Sequence, residues 1–127
     1  DPRSAAITDA LAQSIADAVK AGTVLVGDIS NTLVPVAALG QSALGGVVFH
    51  ELIRFNAPQP QAFVDEAWRA IESCGANGDV RVGLAAHAPY SVAPSVFRAI
   101  RVAADRRPEV PVSVHLAESP AESRFLA

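Results

Sequence analysis

The chain has 127 residues, with ten basic and 13 acidic side chains, a formal net charge of −3 and 50% hydrophobic residues. This length suits one domain with a single core, the apolar content excludes general disorder, and the acidic balance argues against a nucleic-acid binding protein with a basic surface. The single cysteine, Cys74, excludes an intrachain disulfide, and no apolar run reaches the roughly 18–20 residues of a membrane span, so we expect a cytoplasmic protein.

Apolar residues recur at helical spacing in some segments and form continuous β-branched runs in others, which predicts alternating helices and strands. The first helical stripe ends before Gly22, a residue suited to a left-handed helix terminus. A turn is predicted at 77–79, and Ser119 with Glu122 has the spacing of a capping box. The predicted helices lie at 7–19, 33–39, 63–74, 94–104 and from 120 onward, and the predicted strands at 23–29, 47–53, 80–86 and 110–116.

The alternation of strands and helices predicts a parallel sheet covered by helices, because parallel strands need crossover connections. Two architectures fit this order: a small open doubly wound sheet, or part of a (β/α)₈ barrel. No linker divides residues 1–127, so we treat them as one domain. In both architectures the functional site lies at the carboxyl ends of the strands.

Reactive side chains gather at those carboxyl ends. All three histidines are there, and carboxylates accompany them: the set is Asp28, His50, Glu51, His87, His115 and Glu118. Each alone has a structural explanation, such as Glu118 beside the N-terminus of the last helix. Together they indicate a site, because neutral imidazole is a common ligand of zinc or iron(II) and a nearby carboxylate can move protons.

Other standard sites are not found in the sequence. No G-x-G-x-x-G or G-x-x-x-x-G-K-[ST] motif follows a strand, which disfavours nucleotide binding through such loops. No G-x-S-x-G motif presents a serine nucleophile. Cys74 falls on the inward stripe of a predicted helix, so we interpret it as a core residue.

Three sequence blocks resemble the amidohydrolase superfamily. They are residues 22–28 (GTVLVGD), 86–92 (AHAPYSV) and 114–119 (VHLAES), and they follow one another in the family's order. The nearest branch is the chlorohydrolase and cytosine-deaminase-like one, which includes methylthioadenosine/S-adenosylhomocysteine, aminofutalosine and guanine deaminases. The resemblance extends over essentially the whole chain and implies strands two to five of a (β/α)₈ barrel.

The resemblance also implies roles for individual residues. His115 matches the family's metal ligand after the fifth strand, and Glu118 matches the glutamate that protonates the substrate ring nitrogen. His87 matches a histidine that contacts substrate, and His50 lies where related deaminases place a substrate-contacting residue. The implied cofactor is one divalent metal, zinc or alternatively iron. Asp28 and Glu51 receive no role beyond a structural one.

The implied activity is hydrolytic deamination of a heterocyclic amine. A 6-aminopurine nucleoside is the first substrate expected, and guanine or a triazine comes next. The wider substrate class is a purine, pyrimidine or triazine amine. The partner is thus a small molecule, with no nucleic acid or membrane, and a homo-oligomer is left open. A non-catalytic alternative is a four-stranded α/β module that binds a partner through its sheet edges.

The resemblance to the family is incomplete. The family's His-x-His pair, sixth-strand histidine and eighth-strand aspartate have no counterpart here, and four strands cannot close an eight-stranded barrel. One histidine cannot hold a catalytic zinc, which needs about three protein ligands. We therefore expect the 127 residues to be a fragment that is inactive alone and need not retain metal.

Overall fold

A computed structural model of the chain describes residues 1–75 and 78–127. The predicted order of helices and strands is confirmed there, and Asn77 of the predicted turn lies outside the described residues. None of the described helices is both long enough and apolar enough to cross a membrane. In chain order the elements are α1 (Ala5–Lys20), β1 (Leu25–Ser30), α2 (Val34–Gly40), β2 (Gly45–Leu52), α3 (Pro60–Glu72), β3 (Val80–Ala86), α4 (Pro94–Asp105), β4 (Val112–Val114) and α5 (Pro120–Leu126).

The four strands form one parallel sheet in the order β1-β2-β3-β4. Each strand lies beside the next one in the chain, and a helix connects each neighbouring pair, because parallel strands need a crossover connection. The third strand has the predicted bounds, whereas β4 has only three residues. It starts late because the Val110 amide donates to the Arg107 carbonyl at 3.0 Å and Pro111 has no amide hydrogen to donate.

One face of the sheet is covered by helices and holds the core. Val48, Leu52 and Leu84 point to this helix-covered face, and Val48 and Leu84 are fully buried. Leu84 belongs to a large cluster with residues of α3 and α4, and Val48 belongs to a smaller cluster around α2. Because side chains alternate along a strand, Phe49, Glu51 and their sheet neighbours point to the opposite face.

Two glycines allow backbone segments to approach closely. Gly46 has a φ of 154°, and a Cβ there would collide with the Val26 carbonyl of β1. At Gly83, a Cβ would collide with the Pro111 carbonyl just before β4, and it would lie 3.4 Å from Cδ1 of Phe49. Gly83 therefore determines how closely β4 approaches β3.

Candidate active site

The candidate site lies where β2, β3 and β4 end. The sheet hydrogen bonds continue past the strands, because the His87 amide donates to the Leu52 carbonyl at 3.1 Å and the His115 amide donates to the His87 carbonyl at 2.9 Å. These bonds bring His87 and His115 side by side, with their ring centroids 5.6 Å apart in an edge-on arrangement. The strand register therefore determines the distance between two of the predicted site residues.

The ring of His115 lies between two carboxylates. Its Nε2 is 3.4 Å from Oε1 of Glu51, and its Nδ1 is 3.8 Å from Oε1 of Glu118. The Glu51 side chain is only 9% exposed, whereas those of His115 and Glu118 are 34% and 44% exposed. A ligand could therefore reach His115 and Glu118 directly, while Glu51 lies beneath them.

Glu51 is itself held by a residue from the first strand end. Nδ2 of Asn31 donates to Oε2 of Glu51 at 2.8 Å. The sequence placed Glu51 among the residues at the strand ends but gave it only a structural role, and it did not point to Asn31 as a site residue. The alternation of side chains along β2 could have found Glu51, because it shares a face with Phe49 and not with the core residue Leu52.

His87 is oriented by the loop that follows it. Its Nδ1 is 2.6 Å from Oγ of Ser91, and that hydroxyl donates to the Ala88 carbonyl at 3.2 Å. Ser91 therefore occupies Nδ1 of His87, and Nε2 is the ring nitrogen left for contacts outside this loop. Tyr90 also packs edge-on against the His87 ring, with centroids 5.8 Å apart.

Tyr90 connects the β3 loop to Glu118. Its hydroxyl donates to Oε2 of Glu118 at 3.1 Å. Partial desolvation, together with the hydrogen bond to Glu118 and the charges of Glu118 and Glu122, raises the pKa of Tyr90 above its ordinary value. The phenol therefore stays protonated at neutral pH and serves as a donor to the carboxylate.

Comparison with known proteins identifies the family of this chain. The model of the amidohydrolase family matches residues 3–126, nearly the whole chain. The chain belongs to the amidohydrolase family. Among curated proteins no match is found. The four parallel strands with their helices are part of a (β/α)₈ barrel of the amidohydrolase type, which confirms the predicted fold class.

Two solved structures resemble the chain in fold. One is Helicobacter pylori aminofutalosine deaminase in complex with methylthio-coformycin, with 28% identity and a TM-score of 0.73 over 85% of this chain and 26% of that one. The other is Helicobacter pylori aminofutalosine deaminase, with 29% identity and a TM-score of 0.70 over 86% of this chain and 28% of that one. The chain thus spans about a quarter of the length of these enzymes.

Two of the polar residues expected at the strand ends are not part of this site. Asp28 and His50 have the strand parity of Val26 and Val48, so they point to the helix-covered face, away from His115. Burial raises the pKa of Asp28. Burial also lowers the pKa of His50, and a hydrogen bond to the Ser30 backbone acts on that pKa in the opposite direction. The structure does not bring His50 to the cluster, whereas its neighbour Glu51 lies beside His115.

Amidohydrolases generally bind a divalent metal, and His115 is chemically suited to be one ligand. The described residues contain no group of three or more His, Cys, Asp or Glu side chains that could hold a metal ion. A catalytic zinc takes about three protein ligands. His115 therefore fits a metal ligand in kind, but the described part of the chain does not form a complete metal site.

Proposed function

We propose that this chain forms part of the catalytic domain of a hydrolytic deaminase that acts on a heterocyclic amine. The observation that carries the proposal is the placement of Glu118 beside His115 at the strand ends, with Tyr90 donating to its carboxylate. Family membership and the two aminofutalosine deaminase neighbours support the reaction class. The coformycin analogue bound by one neighbour supports a small-molecule substrate, of which a 6-aminopurine nucleoside is the first choice.

In this proposal Glu118 moves protons during the reaction. A bound divalent metal, zinc or alternatively iron, would supply activated water. The protonated Glu118 carboxyl donates to the ring nitrogen next to the carbon that water attacks, which neutralises the charge that develops there. Glu118 then accepts one proton from the added water and transfers it to the leaving amino group, and the second water proton restores the protonated Glu118 carboxyl as the oxo group forms. The products are the oxo compound and ammonia, so one water is consumed for each amine released.

His87 and His115 complete the proposed reaction site. The exposed part of His115 serves as one metal ligand, and its ring is kept in place between the two glutamates. His87 contacts the substrate through Nε2, because Ser91 occupies Nδ1. The substrate-binding role predicted for His50 is not part of this proposal, since its side chain points to the helix-covered face.

The test uses the full-length gene product that contains this chain, loaded with zinc or iron. We expect ammonia release from adenosine-type nucleosides, and Glu118→Gln should lower kcat by about 100-fold or more because general acid-base catalysis is lost. The matched control is Glu66→Gln, which changes an exposed carboxylate on α3. No ammonia from any purine, pyrimidine or triazine amine, or equal loss in both variants, would overturn the proposal.

The non-catalytic alternative has an observation of its own in the exposed apolar residues of both edge strands. Leu25 on β1 is 71% exposed, and Val112 and Val114 on β4 are each 42% exposed. A partner-binding module would sediment as a stable monomer with cooperative unfolding in the absence of its partner.

The isolated 127 residues should release no ammonia even with added zinc, and release would contradict the expectation that they are inactive alone.

A further inference from the structure

Glu122 is the buried acidic residue next to the proposed site. It lies in the first turn of α5 and is only 3% exposed, the lowest exposure of any charged side chain in the described residues. Its Oε2 accepts a hydrogen bond from the backbone amide of Glu118 at 2.8 Å. Its Oε1 is buried and has no hydrogen-bond partner among the described residues. Burying a carboxylate costs free energy, so capping the short helix α5 does not by itself explain why Glu122 is buried.

The hydrogen bonds of Glu122 differ from those of an ordinary capping box. In that motif the carboxylate at the third helical position accepts from the backbone amide of the N-cap residue. Here the N-cap Ser119 accepts from the Glu122 amide at 3.2 Å as expected. The Glu122 carboxylate, however, accepts from Glu118, one residue before the N-cap. Half of the motif therefore caps α5, and the other half holds the main chain of Glu118.

The main chain between His115 and Glu118 needs such support. Ala117 has a φ of 59°, and it is the one residue other than glycine with positive φ among the described residues. This left-handed conformation is unfavourable for alanine because of its Cβ. It turns the chain so that Oε1 of Glu118 reaches a point 3.8 Å from Nδ1 of His115. A fixed amide at Glu118 keeps the turn in this conformation.

We propose that Glu122 is a positioning residue for Glu118. The Glu122 carboxylate binds the main-chain amide of Glu118, while the Tyr90 hydroxyl, from the loop after β3, donates to the Glu118 carboxylate. The side chain of Glu118 then has little freedom to leave its place beside His115. This inference rests on the proposed function, because it concerns how the proton-transferring residue is oriented.

The test compares two variants of similar length in the metal-loaded full-length gene product. Glu122→Gln keeps a carbonyl oxygen that accepts from the Glu118 amide, whereas Glu122→Met removes the acceptor and fills the same buried space. We expect Glu122→Met to lower kcat by about tenfold or more with a smaller change in KM, because misplaced catalytic groups lose rate. Glu122→Gln should recover most of that kcat.

A third variant, Ser119→Ala, separates positioning from capping. It removes the serine acceptor of α5 but leaves the bond between Glu122 and Glu118. We expect it to lower Tm while kcat stays close to that of the unmodified protein. If Ser119→Ala lowers kcat as much as Glu122→Met, or if Glu122→Met keeps full kcat, Glu122 only caps the helix and the inference is overturned.

Amide hydrogen exchange provides a readout that does not depend on catalysis. In Glu122→Met the Glu118 amide should exchange about tenfold faster than in Ser119→Ala, because only the first variant frees that amide. Equal exchange rates would overturn the positioning role even in an active enzyme. If the unmodified protein releases no ammonia but the exchange rates differ as expected, the proposed function fails while the structural part of this inference stands.

Discussion

Gly83 offers a direct test of how the sheet places the site, because it lies where β3 and β4 approach most closely. In Gly83→Ala the new Cβ would collide with the Pro111 carbonyl. That oxygen belongs to the backbone just before β4, so no side-chain rotation can relieve the collision. Overpacking of this kind costs about 1–3 kcal/mol. The substitution should therefore move β4, and with it His115, away from β3.

Gly27→Ala is the matched control for this substitution. Gly27 lies in β1, and a Cβ there would be 3.8 Å from Cε2 of Phe49, an ordinary van der Waals contact. Replacing a strand glycine by alanine without a collision stabilises a protein by about 0.5–1 kcal/mol. Both variants receive this benefit, so the free energies of unfolding should differ by about the overpacking cost of 1–3 kcal/mol.

Urea denaturation followed by far-ultraviolet circular dichroism measures this difference. We expect Gly83→Ala to unfold at a lower urea concentration than Gly27→Ala, with similar dependence of the unfolding free energy on urea. A midpoint for Gly83→Ala equal to or above that of Gly27→Ala would refute the reasoning. It would mean that β4 can move aside without losing its pairing with β3.

Two further predictions concern Asp28 and Ser91. Burial raises the folded-state pKa of Asp28 above 3.8, so stability associated with its protonated form is present below that pH and is lost as pH rises through the folded-state pKa. Asp28→Asn should therefore raise the urea midpoint at pH 7 but not at pH 3.5, and Asp9→Asn, which changes an exposed carboxylate on α1, is the matched control. Ser91→Ala removes the 2.6 Å contact to Nδ1 of His87, and in the full-length gene product we expect KM to rise by about fivefold to tenfold. Ser91→Thr keeps the hydroxyl and should retain KM in steady-state assays, and equal KM values in both variants would contradict the orienting role.

The order of elements was predictable because each has a strong local signal. β3 has the predicted bounds, since Val80–Ala86 is apolar apart from the exposed Arg81 and is followed by His87. The bounds of β4 were not predictable from its apolar residues. Its late start depends on a turn in which Val110 bonds to Arg107 and on the missing amide hydrogen of Pro111, and both involve main-chain geometry rather than side-chain pattern.

The candidate site was predictable only in part. His87, His115 and Glu118 lie together as expected from the strand ends, but their roles in catalysis stay predictions. His50 and Glu51 are adjacent in sequence and point to opposite faces of the sheet. A shift of β2 by one residue would exchange their faces, so the sequence alone does not show which of them faces His115. The contact between Tyr90 and Glu118 joins two loops and depends on tertiary structure alone.

The short pairing of β4 has a consequence for how the protein responds to heat. β4 pairs with β3 over three residues, whereas β2 pairs with β3 over seven. Segments with few backbone hydrogen bonds open locally at a lower free energy than the whole domain. His115 and Glu118 follow β4, so local opening of the pairing between β3 and β4 would separate them from His87 while β2 stays paired with β3. The placement of His115 and Glu118 beside His87 is therefore more sensitive to temperature than the pairing of β2 with β3.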